Sequence, residues 1–412
     1  HVYDGINIRG SSANIVGNTL RNNNRHGIYV YDNTPTVTGN TITKNGEWGL
    51  YDRGTAMPTP TNNTITDNGN AIRVGFNSLP DQSSGNTISG NTRNVISFVG
   101  NGLDHDLELS AGIVYYQESG TATVGTGVNV RVRPGVVWKF GSGAYLTVSG
   151  ALSALGESDD KIYFTSYRDD SIGGDSNGDG ESTGQAGDWA RFYFTDSVIE
   201  FLTKLDYVEV RYGGASTAAI YQYYASVDIT NSVVRDSASY GIRINHGNPL
   251  IENNTVTDNG HSGVLLEYSA SQVKNNLLRG NQANGVYLYN GSEQPQILNN
   301  QIVDNKVHGI YSHHAMTPVI DGNTVTGNES WGIYFNTTSN TPVLTNNTIT
   351  GNGYSMTVPA SALPNASDNN ILIPNTRNII GIRGNSRTTD LQLSVLSDGD
   401  DELSTYQIYS TW

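Results

Sequence analysis

The feature that most constrains the fold of this chain is a repeat of about 23 residues, well within the range of known structural repeats. The element Asn-x-[Ile/Leu/Val] recurs at Asn18, Asn40, Asn63 and Asn86, and again at Asn231, Asn254, Asn276, Asn300, Asn323 and Asn347. A second element, Gly-[Ile/Val/Leu]-x, keeps the same step, so each period holds at least two short strands separated by turns. Such a repeat predicts coils that stack as a parallel β-solenoid.

Alternation within the strands indicates which side chains face the core. Ile28 and Val30 point to one side of their strand and Tyr29 and Tyr31 to the other, because side chains alternate across a strand. Gly and Asn suit the turns, since both adopt left-handed backbone conformations at little cost. A helical fold is excluded by the density of Gly, Asn and Thr and by the lack of a 3.6-residue period.

A longer repeat overlies the first and suggests how the chain is organised. His26–Tyr29 matches His308–Tyr311, Trp48–Tyr51 matches Trp331–Tyr334, and Thr92–Ile96 matches Thr376–Ile380. We therefore predict a partial copy of a unit of about 280 residues over 1–120 and a second copy over 231–412. Residues 121–230 are predicted to form central coils with a polar, glycine-rich insertion near 167–190. We expect all three stretches to form one continuous solenoid.

The coil motifs Asn-Thr-Ile and Gly-Ile-Tyr resemble those of the right-handed parallel β-helix superfamily, the architecture of pectate-lyase-like proteins. The run Pro134–Phe140, followed by Ile162–Ser166 and Asp169–Trp189, resembles a module of large extracellular bacterial β-helix proteins. The resemblance implies an all-β, single-stranded right-handed parallel β-helix that is secreted or displayed on a bacterial cell surface. It also implies adhesion or surface binding, and it carries no catalytic set onto this chain.

Composition excludes several classes of function. The absence of cysteine excludes a disulfide scaffold, thiol catalysis and cysteine-bound metal. The net charge of −15 argues against a nucleic-acid partner, because phosphate binding needs a basic surface. No apolar run approaches the roughly 18 residues of a membrane-spanning helix. Because the chain begins at His1, we expect a mature form or a fragment of a longer protein.

The strongest local motif is a predicted calcium loop within the insertion. Residues 175–180 place oxygen ligands at positions 1, 3 and 5 and glycine at position 6, as in the opening of an EF-hand loop. Position 12 is Ala186 instead of Glu, so a later carboxylate must close the shell, while Asp169 and Asp170 add charge upstream. The predicted calcium ligands are Asp175, Asn177, Asp179, Glu181 and Asp188. The alternative is a solvated acidic turn without metal.

Outward residues of the Gly-[Ile/Val/Leu]-x strands are predicted to form columns along the stacked coils. One column contains Arg243, Leu265, Tyr287, Tyr311 and Tyr334, and the next contains Asn245, Glu267, Tyr289, His313 and Asn336. Coils stack about 4.8 Å apart, so the rings form ladders on an exposed sheet. We predict polysaccharide-binding tyrosines at Tyr29, Tyr51, Tyr287, Tyr311 and Tyr334. The alternative is that the stacked rings only stabilise the sheet.

A catalytic alternative depends on two small groups of charged residues. Asp104, His105 and Asp106 resemble part of the Asp-Pro-His-Asp motif of mannuronan epimerases, without its proline. Arg131 and Arg133 share a strand face and could supply the base of a lyase. Lys139, Lys161 and Arg168 follow them, and we expect all these basic side chains to be solvated at the surface.

The sequence thus favours a non-catalytic extracellular β-helix that acts as a rigid, calcium-stabilised stalk or adhesin segment. Its partner would be a polysaccharide or another cell-surface ligand bound along the tyrosine-lined face. One alternative is a polysaccharide lyase or uronate epimerase acting on acidic glycans. A second alternative is a self-assembling structural subunit joined end to end to further copies of the repeat.

Overall fold

A computed structural model describes residues 3–10, 12–54, 56–314, 316–338 and 341–384, and the backbone of the strand Thr405–Tyr409. These residues form short parallel strands, as the repeat predicted, together with five single-turn 3-10 helices. Across the described ranges, no helix has the length and apolar character needed to span a membrane. The chain divides into two compact units, which we call unit 1 (1–193 and 197–213) and unit 2 (194–196 and 214–412).

Unit 1 is built from stacked parallel sheets, with one strand of each sheet contributed by a coil. The longest sheet contains Ile6–Arg9, Ile28–Tyr31, Trp48–Asp52, Asn70–Gly75, Arg93–Val99, Val114–Ser119, Val137–Phe140, Ile162–Ser166 and Val208–Arg211. The other strands of unit 1 are Ile15–Val16, Val37–Thr38, Thr19–Arg21, Thr41–Thr43, Thr64–Thr66, Thr87–Ser89, Gly102–Leu103, Thr121–Val124, Tyr145–Val148, Leu107–Leu109, Asn129–Val132, Ala151–Leu155 and Lys204–Asp206. Its 3-10 helices are Phe76–Ser78, Gln82–Ser84 and Glu200–Leu202, and the strand Arg191–Phe194 has residues in both units.

Unit 2 has three parallel sheets with the same coil step. The sheet that carries the Gly-[Ile/Val/Leu]-x strands contains Ala218–Tyr223, Tyr240–Asn245, Val264–Glu267, Val286–Tyr289, Ile310–Ser312, Trp331–Phe335, Tyr354–Pro359, Arg377–Arg383 and Thr405–Tyr409. The second contains Val233–Arg235, Thr255–Thr257, Leu277–Arg279, Gln301–Val303, Thr324–Thr326 and Thr348–Thr350, and the third contains Asp228–Thr230, Leu250–Glu252, Gln272–Lys274, Gln296–Leu298, Val319–Asp321 and Val343–Thr345. The 3-10 helices are Ala360–Ala362 and Ala366–Asp368.

The core of each coil is thin and consists of aliphatic side chains, stacked on those of the coils before and after it. Ile28 and Val30 are fully buried while Tyr29 is partly exposed, which confirms the predicted alternation. In the central stretch of unit 1, where the Asn signature is missing, large aromatic side chains fill the core instead. Phe140 and Trp189 stack there with their ring centroids 4.4 Å apart.

Buried asparagines form hydrogen-bonded ladders along both units. The amide of Asn300 donates to the Oδ1 of Asn323 at 3.0 Å and to the carbonyl of Val273 at 2.8 Å. A second ladder, which runs through Asn281 and Asn305, follows the other end of the same strands. The ladders satisfy backbone groups at the corners of the coils, where strand pairing ends.

The left-handed corners are occupied mainly by Asn, Asp and Gly, as their backbone preferences predict. Aromatic residues also occupy such corners in unit 2, where Tyr224, His246 and Tyr268 all have positive φ. Their rings stack with centroids 4.3 and 4.5 Å apart. Ring stacking from coil to coil therefore offsets a backbone conformation that these residues ordinarily avoid.

Candidate functional site

The predicted tyrosine column of unit 2 has the expected register. Strand pairing aligns Arg243 with Leu265, Leu265 with Tyr287, Tyr287 with Tyr311, and Tyr311 with Tyr334. The ring centroids of Tyr287 and Tyr311 are 5.0 Å apart and nearly parallel, and those of Tyr311 and Tyr334 are 5.6 Å apart at an angle of 49°. Because stacked rings cover one another's faces, a ligand outside the column meets mainly ring edges and hydroxyl groups.

A second column, made of the residues that immediately precede the glycine of each motif, lies beside the tyrosines and is mostly buried. Its members are linked by hydrogen bonds from coil to coil. Ser262 Oγ accepts a bond from the backbone N–H of Asn284 at 3.3 Å, and Asn284 Oδ1 accepts one from the N–H of His308 at 3.2 Å. His308 Nδ1 in turn accepts a bond from the N–H of Trp331 at 3.2 Å. These bonds fix the side chains that stand next to the tyrosine column.

The two columns enclose a cleft of about 660 Å³ on the surface of unit 2, which we call the aromatic cleft. It is lined by Tyr240, His261, Ala283, Asn284, Tyr287, Val307, His308, Tyr311, Trp331, Tyr334 and Asn336. Two side contacts shape its walls: His308 stacks on Tyr334 at 4.8 Å, and Trp331 stacks on Tyr354 at 4.4 Å. The lining combines aromatic surface with amide, phenol and imidazole groups, a composition suited to amphipathic ligands.

The lining of the aromatic cleft carries no net charge at neutral pH. It contains no Asp, Glu, Lys or Arg. Burial lowers the pKa of His308 to about 4 and also lowers the pKa of His261, so both imidazoles are neutral at pH 7. Burial raises the pKa of Tyr287 and of Tyr311, which keeps both phenols protonated. The cleft therefore offers neutral hydrogen-bonding groups.

The corresponding tyrosines of unit 1 are arranged differently. Tyr29 and Tyr51 stack in register at 5.6 Å, and His26 stacks on Tyr51 at 4.9 Å. The guanidinium of Arg73 lies 4.8 Å from the ring centroid of Tyr51 and pairs with Glu118 at 2.9 Å. A cation held in this way covers the end of the stack, so the geometry of this ladder supports a structural role.

The insertion brings three carboxylates together. Single oxygens of Asp170, Asp175 and Asp179 all lie within 4.8 Å of one another. Asp175 accepts bonds from the N–H groups of Gly178 and Gly180, which hold the loop in a tight turn. One oxygen of Asp170 is buried without a hydrogen-bond partner. Three converging carboxylates provide the hard oxygen ligands that calcium prefers.

The other predicted calcium ligands have different surroundings. Asn177 Oδ1 accepts a bond from the N–H of Asp179 at 3.2 Å, and Glu181 is exposed in the same loop. Asp188 does not join the three carboxylates. It accepts bonds from Ser166 Oγ at 2.6 Å and from the N–H of Gln185 at 2.8 Å, so it anchors the end of the insertion. Asp170, for which the sequence predicts only a contribution of charge, joins Asp175 and Asp179 in the carboxylate cluster. It takes the place that the sequence predicts for Asp188.

Lys139 is not the solvated residue that the sequence predicted. Its side chain is fully buried, because the insertion folds back over its strand. The ammonium donates to the carbonyl of Gly174 at 2.6 Å and lies 3.9 Å from Asp170. Burial lowers the pKa of Lys139, while the negative charge of Asp170 acts in the opposite direction. Lys139 therefore fastens the insertion to the longest sheet of unit 1.

The two groups of candidate catalytic residues lie on neighbouring coils. The exposed pair Asp104 and His105 is 3.0 Å apart, and the hydrogen bond from His105 lowers the pKa of Asp104. Asp106 accepts a bond from the N–H of Asn129 at 2.8 Å and so connects two coils. Arg133 pairs with Glu108 at 2.8 Å. Within the described ranges, no hydrogen bond or ion pair links Arg131 or Arg133 to the Asp104–Asp106 group.

Sequence reasoning identified the tyrosine column but missed its neighbours in the cleft. In the sequence, His308 and Trp331 stand out only as parts of the long repeat, and both precede the motif glycine. Asn284, His308 and Trp331 each lie three positions before an outward tyrosine, so strand alternation with a period of two would direct them away from that tyrosine. Strand alternation alone therefore does not identify these three residues as part of the cleft.

The sequence matches the family model described as the right handed beta helix region over residues 4–147 and 214–389. Among solved structures, it is similar to the A-module of the Azotobacter vinelandii mannuronan C-5 epimerase AlgE4, with 15% identity and a TM-score of 0.35, covering 81% of this chain and 80% of that chain. It is also similar to a mutant of the periplasmic alginate epimerase AlgG, with 14% identity and a TM-score of 0.31, covering 77% of this chain and 76% of that chain. No curated protein sequence gives a significant match.

Proposed function

The chain belongs to the right-handed β-helix family, and from that premise we propose that it is a non-catalytic, extracellular polysaccharide-binding protein that holds its ligand in the aromatic cleft. The observation that carries the proposal is the cleft itself, in which two columns of aromatic and amide side chains run along successive coils. A surface that repeats with each coil suits a polymer that repeats with each sugar. A stalk or adhesin segment at a bacterial surface is the role that we assign to this binding.

The chemistry of the lining favours an uncharged polysaccharide. Phenol hydroxyls, imidazole N–H groups and the amide of Asn336 match the hydroxyl groups of neutral sugars. A polyuronate would bring a row of carboxylates to a cleft whose lining has no cation, on a protein with a net charge of −15. Arg383, which lies at Tyr334, is engaged with the ring and hydroxyl of that tyrosine.

The test measures whether the full chain is retained on immobilised neutral glucans, mannans and xylans. Polyuronates are included as acidic polymers for comparison. We expect retention by at least one neutral polymer. Replacement of Tyr287, Tyr311 and Tyr334 by Ala should abolish it. Tyr311→Phe, which keeps the ring stack but removes one hydroxyl, should weaken retention about fivefold, as expected for the loss of one hydrogen bond.

The matched control is the tyrosine ladder of unit 1. The double variant Tyr29→Ala and Tyr51→Ala should leave retention unchanged, because Arg73 covers that stack. Equal losses from both sets of variants would contradict the assignment to the aromatic cleft. An assay for unsaturated uronate products, run on the same polymers, tests the lyase alternative. Product formation that depends on Asp104, His105 or Arg131 would replace the binding proposal with that enzyme.

We also propose that calcium stabilises the insertion at Asp170, Asp175 and Asp179. Three carboxylates with one neighbouring ammonium, that of Lys139, leave two negative charges in excess, which a divalent cation would neutralise. The buried Oδ1 of Asp170 makes no hydrogen bond and has the Lys139 ammonium 3.9 Å away, so it retains capacity to bind a cation. The ion would hold the three carboxylates of the insertion together and would take no part in a reaction on a substrate.

A further inference from the structure

A cavity of about 430 Å³ lies in unit 1 between the insertion and the longest sheet, away from the side chains considered above for catalysis. We call it the Arg93 cavity. One wall is a column of three valines, Val95, Val114 and Val137, which pair in register on successive strands. The opposite wall is the loop 173–176, and Arg93 stands at the edge. Cavities of this size and mixed lining are typical of sites for small molecules.

Ser176 contributes a polar group that the folded chain leaves without a partner. The residue is 6% exposed, and its hydroxyl makes no hydrogen bond. A buried hydroxyl without a hydrogen-bond partner destabilises the folded chain. Since Ser176 lines the Arg93 cavity, a ligand bound there could satisfy this hydroxyl. The solenoid itself gains nothing from a serine in this position, because alanine would avoid the cost.

Arg93 supplies an available cation. Its Nε donates to Asn70 Oδ1 at 2.6 Å, and among the described residues no carboxylate lies within ion-pairing distance of its guanidinium. Gly178 packs directly against it, since a Cβ at that position would lie 1.3 Å from Nη1. Asp175 also lines the cavity, but both of its oxygens accept backbone N–H groups of its own loop. Arg93 and Ser176 therefore both have free hydrogen-bonding capacity at the cavity.

We propose that the Arg93 cavity binds a small organic carboxylate with an apolar body. The carboxylate would accept hydrogen bonds from the guanidinium of Arg93 and the hydroxyl of Ser176, while the apolar part packs on the valine wall. Arginine suits this role because its planar fork matches the geometry of a carboxylate. A simple cation is disfavoured by Arg93, and a polymer is disfavoured by the small volume.

The long repeat provides a matched control. Arg377 occupies the place of Arg93 in the second copy of the motif Thr-Arg-Asn-[Val/Ile]-Ile. Its guanidinium lies over the ring of Tyr354 at 5.2 Å and is exposed. Removal of either arginine deletes the same charge from the same motif, but Arg93 lines the Arg93 cavity whereas Arg377 lies over Tyr354.

The experiment is a binding titration of the full chain, followed by ligand-detected NMR, with hexanoate, benzoate and glucuronate. Hexanamide, benzamide and glucose are the neutral counterparts, and the glucuronate arm distinguishes a sugar acid from an apolar acid. We expect at least one carboxylate to bind while its neutral counterpart does not. Arg93→Ala should weaken that binding at least about tenfold, and Arg377→Ala should leave it unchanged.

Ser176→Ala separates a ligand-binding role from a structural one. It should weaken carboxylate binding several-fold while leaving the melting temperature of the free protein unchanged or higher, because it removes an unsatisfied hydroxyl. The melting temperature of Arg93→Ala confirms that this variant is folded. The proposal is overturned if none of the three carboxylates binds, if the neutral counterparts bind equally well, or if Arg93→Ala and Arg377→Ala have equal effects.

Discussion

At the scale of single residues, His308 shows how the cleft keeps its neutral character. Its Nδ1 accepts a backbone hydrogen bond from Trp331, and its ring is stacked on Tyr334. The accepting nitrogen must be unprotonated for this arrangement, and burial holds the pKa of His308 at about 4. The same residue therefore links binding chemistry to stability, because protonation would break the hydrogen bond that positions Trp331.

The stability of the protein should fall as the pH drops from about 6.5 towards 4. Over that interval the unfolded chain takes up a proton on His308 before the folded chain does, and unfolding is favoured. The expected contribution is on the order of 2–3 kcal/mol. It can be measured by urea unfolding of the wild type and His308→Asn near neutral pH and near pH 4.

Asparagine is the matched replacement because Asn284 already occupies the same column and accepts the equivalent bond. His308→Asn cannot be protonated, so it should lose about 2 kcal/mol less stability on acidification than the wild type does. Other buried histidines, such as His26, titrate in both proteins and cancel in the comparison. Identical acid sensitivity of the two proteins would show that His308 is not the group responsible.

The sequence predicts the tyrosine column because one motif at a constant step determines which residues align. It does not predict the Arg93 cavity, since Arg93 and Ser176 are separated along the chain and meet only when the insertion folds back. The burial of Lys139 has the same origin. Contacts made by an irregular loop follow no period, so the repeat carries no information about them.

At the scale of the repeating element, the asparagine ladder is the main polar support of each coil. Asn300 is 1% exposed and takes part in hydrogen bonds with Asn276, Asn323 and the carbonyl of Val273. The repeat in the sequence predicts this ladder, because stacked amides require one residue in every coil. The ladder departs from the predicted repeat where it begins in unit 2. There the backbone N–H of Ser232, the residue after Asn231, donates to Oδ1 of Asn254.

Asn300→Ala should destabilise the protein by about 3 kcal/mol, since it leaves several buried donors and acceptors without partners. The neighbouring variant Gln301→Ala removes an exposed amide and should change stability by less than about 0.5 kcal/mol. Urea unfolding of both variants checks the difference. A cost for Asn300→Ala as small as that for Gln301→Ala would mean that the ladder follows from the fold without stabilising it.

At the scale of the whole molecule, the net charge of −15 acts on every ligand or ion that approaches the protein. Such a charge destabilises a compact chain through self-repulsion and repels polyanions. Much of the chain has its carboxylates scattered or paired, whereas Asp170, Asp175 and Asp179 converge. Neutralisation of this cluster is therefore where a bound cation should produce the largest gain in stability.

Calcium should raise the melting temperature of the full chain by a few degrees, and excess EDTA should reverse the effect. At a calcium concentration 100 times the Kd, the expected stabilisation is about 2.7 kcal/mol.

Differential scanning fluorimetry of the wild type, Asp179→Asn and Asp188→Asn tests both the ion and its ligands. Asp179→Asn should abolish the calcium increment, because its carboxylate belongs to the cluster. Asp188→Asn should lower the melting temperature with or without calcium and keep the increment, because Asp188 bonds to Ser166 and Gln185 instead. A melting temperature that EDTA leaves unchanged would contradict the calcium proposal. If Asp188→Asn loses the calcium-dependent rise in melting temperature, Asp188 is a calcium ligand, as the sequence predicted.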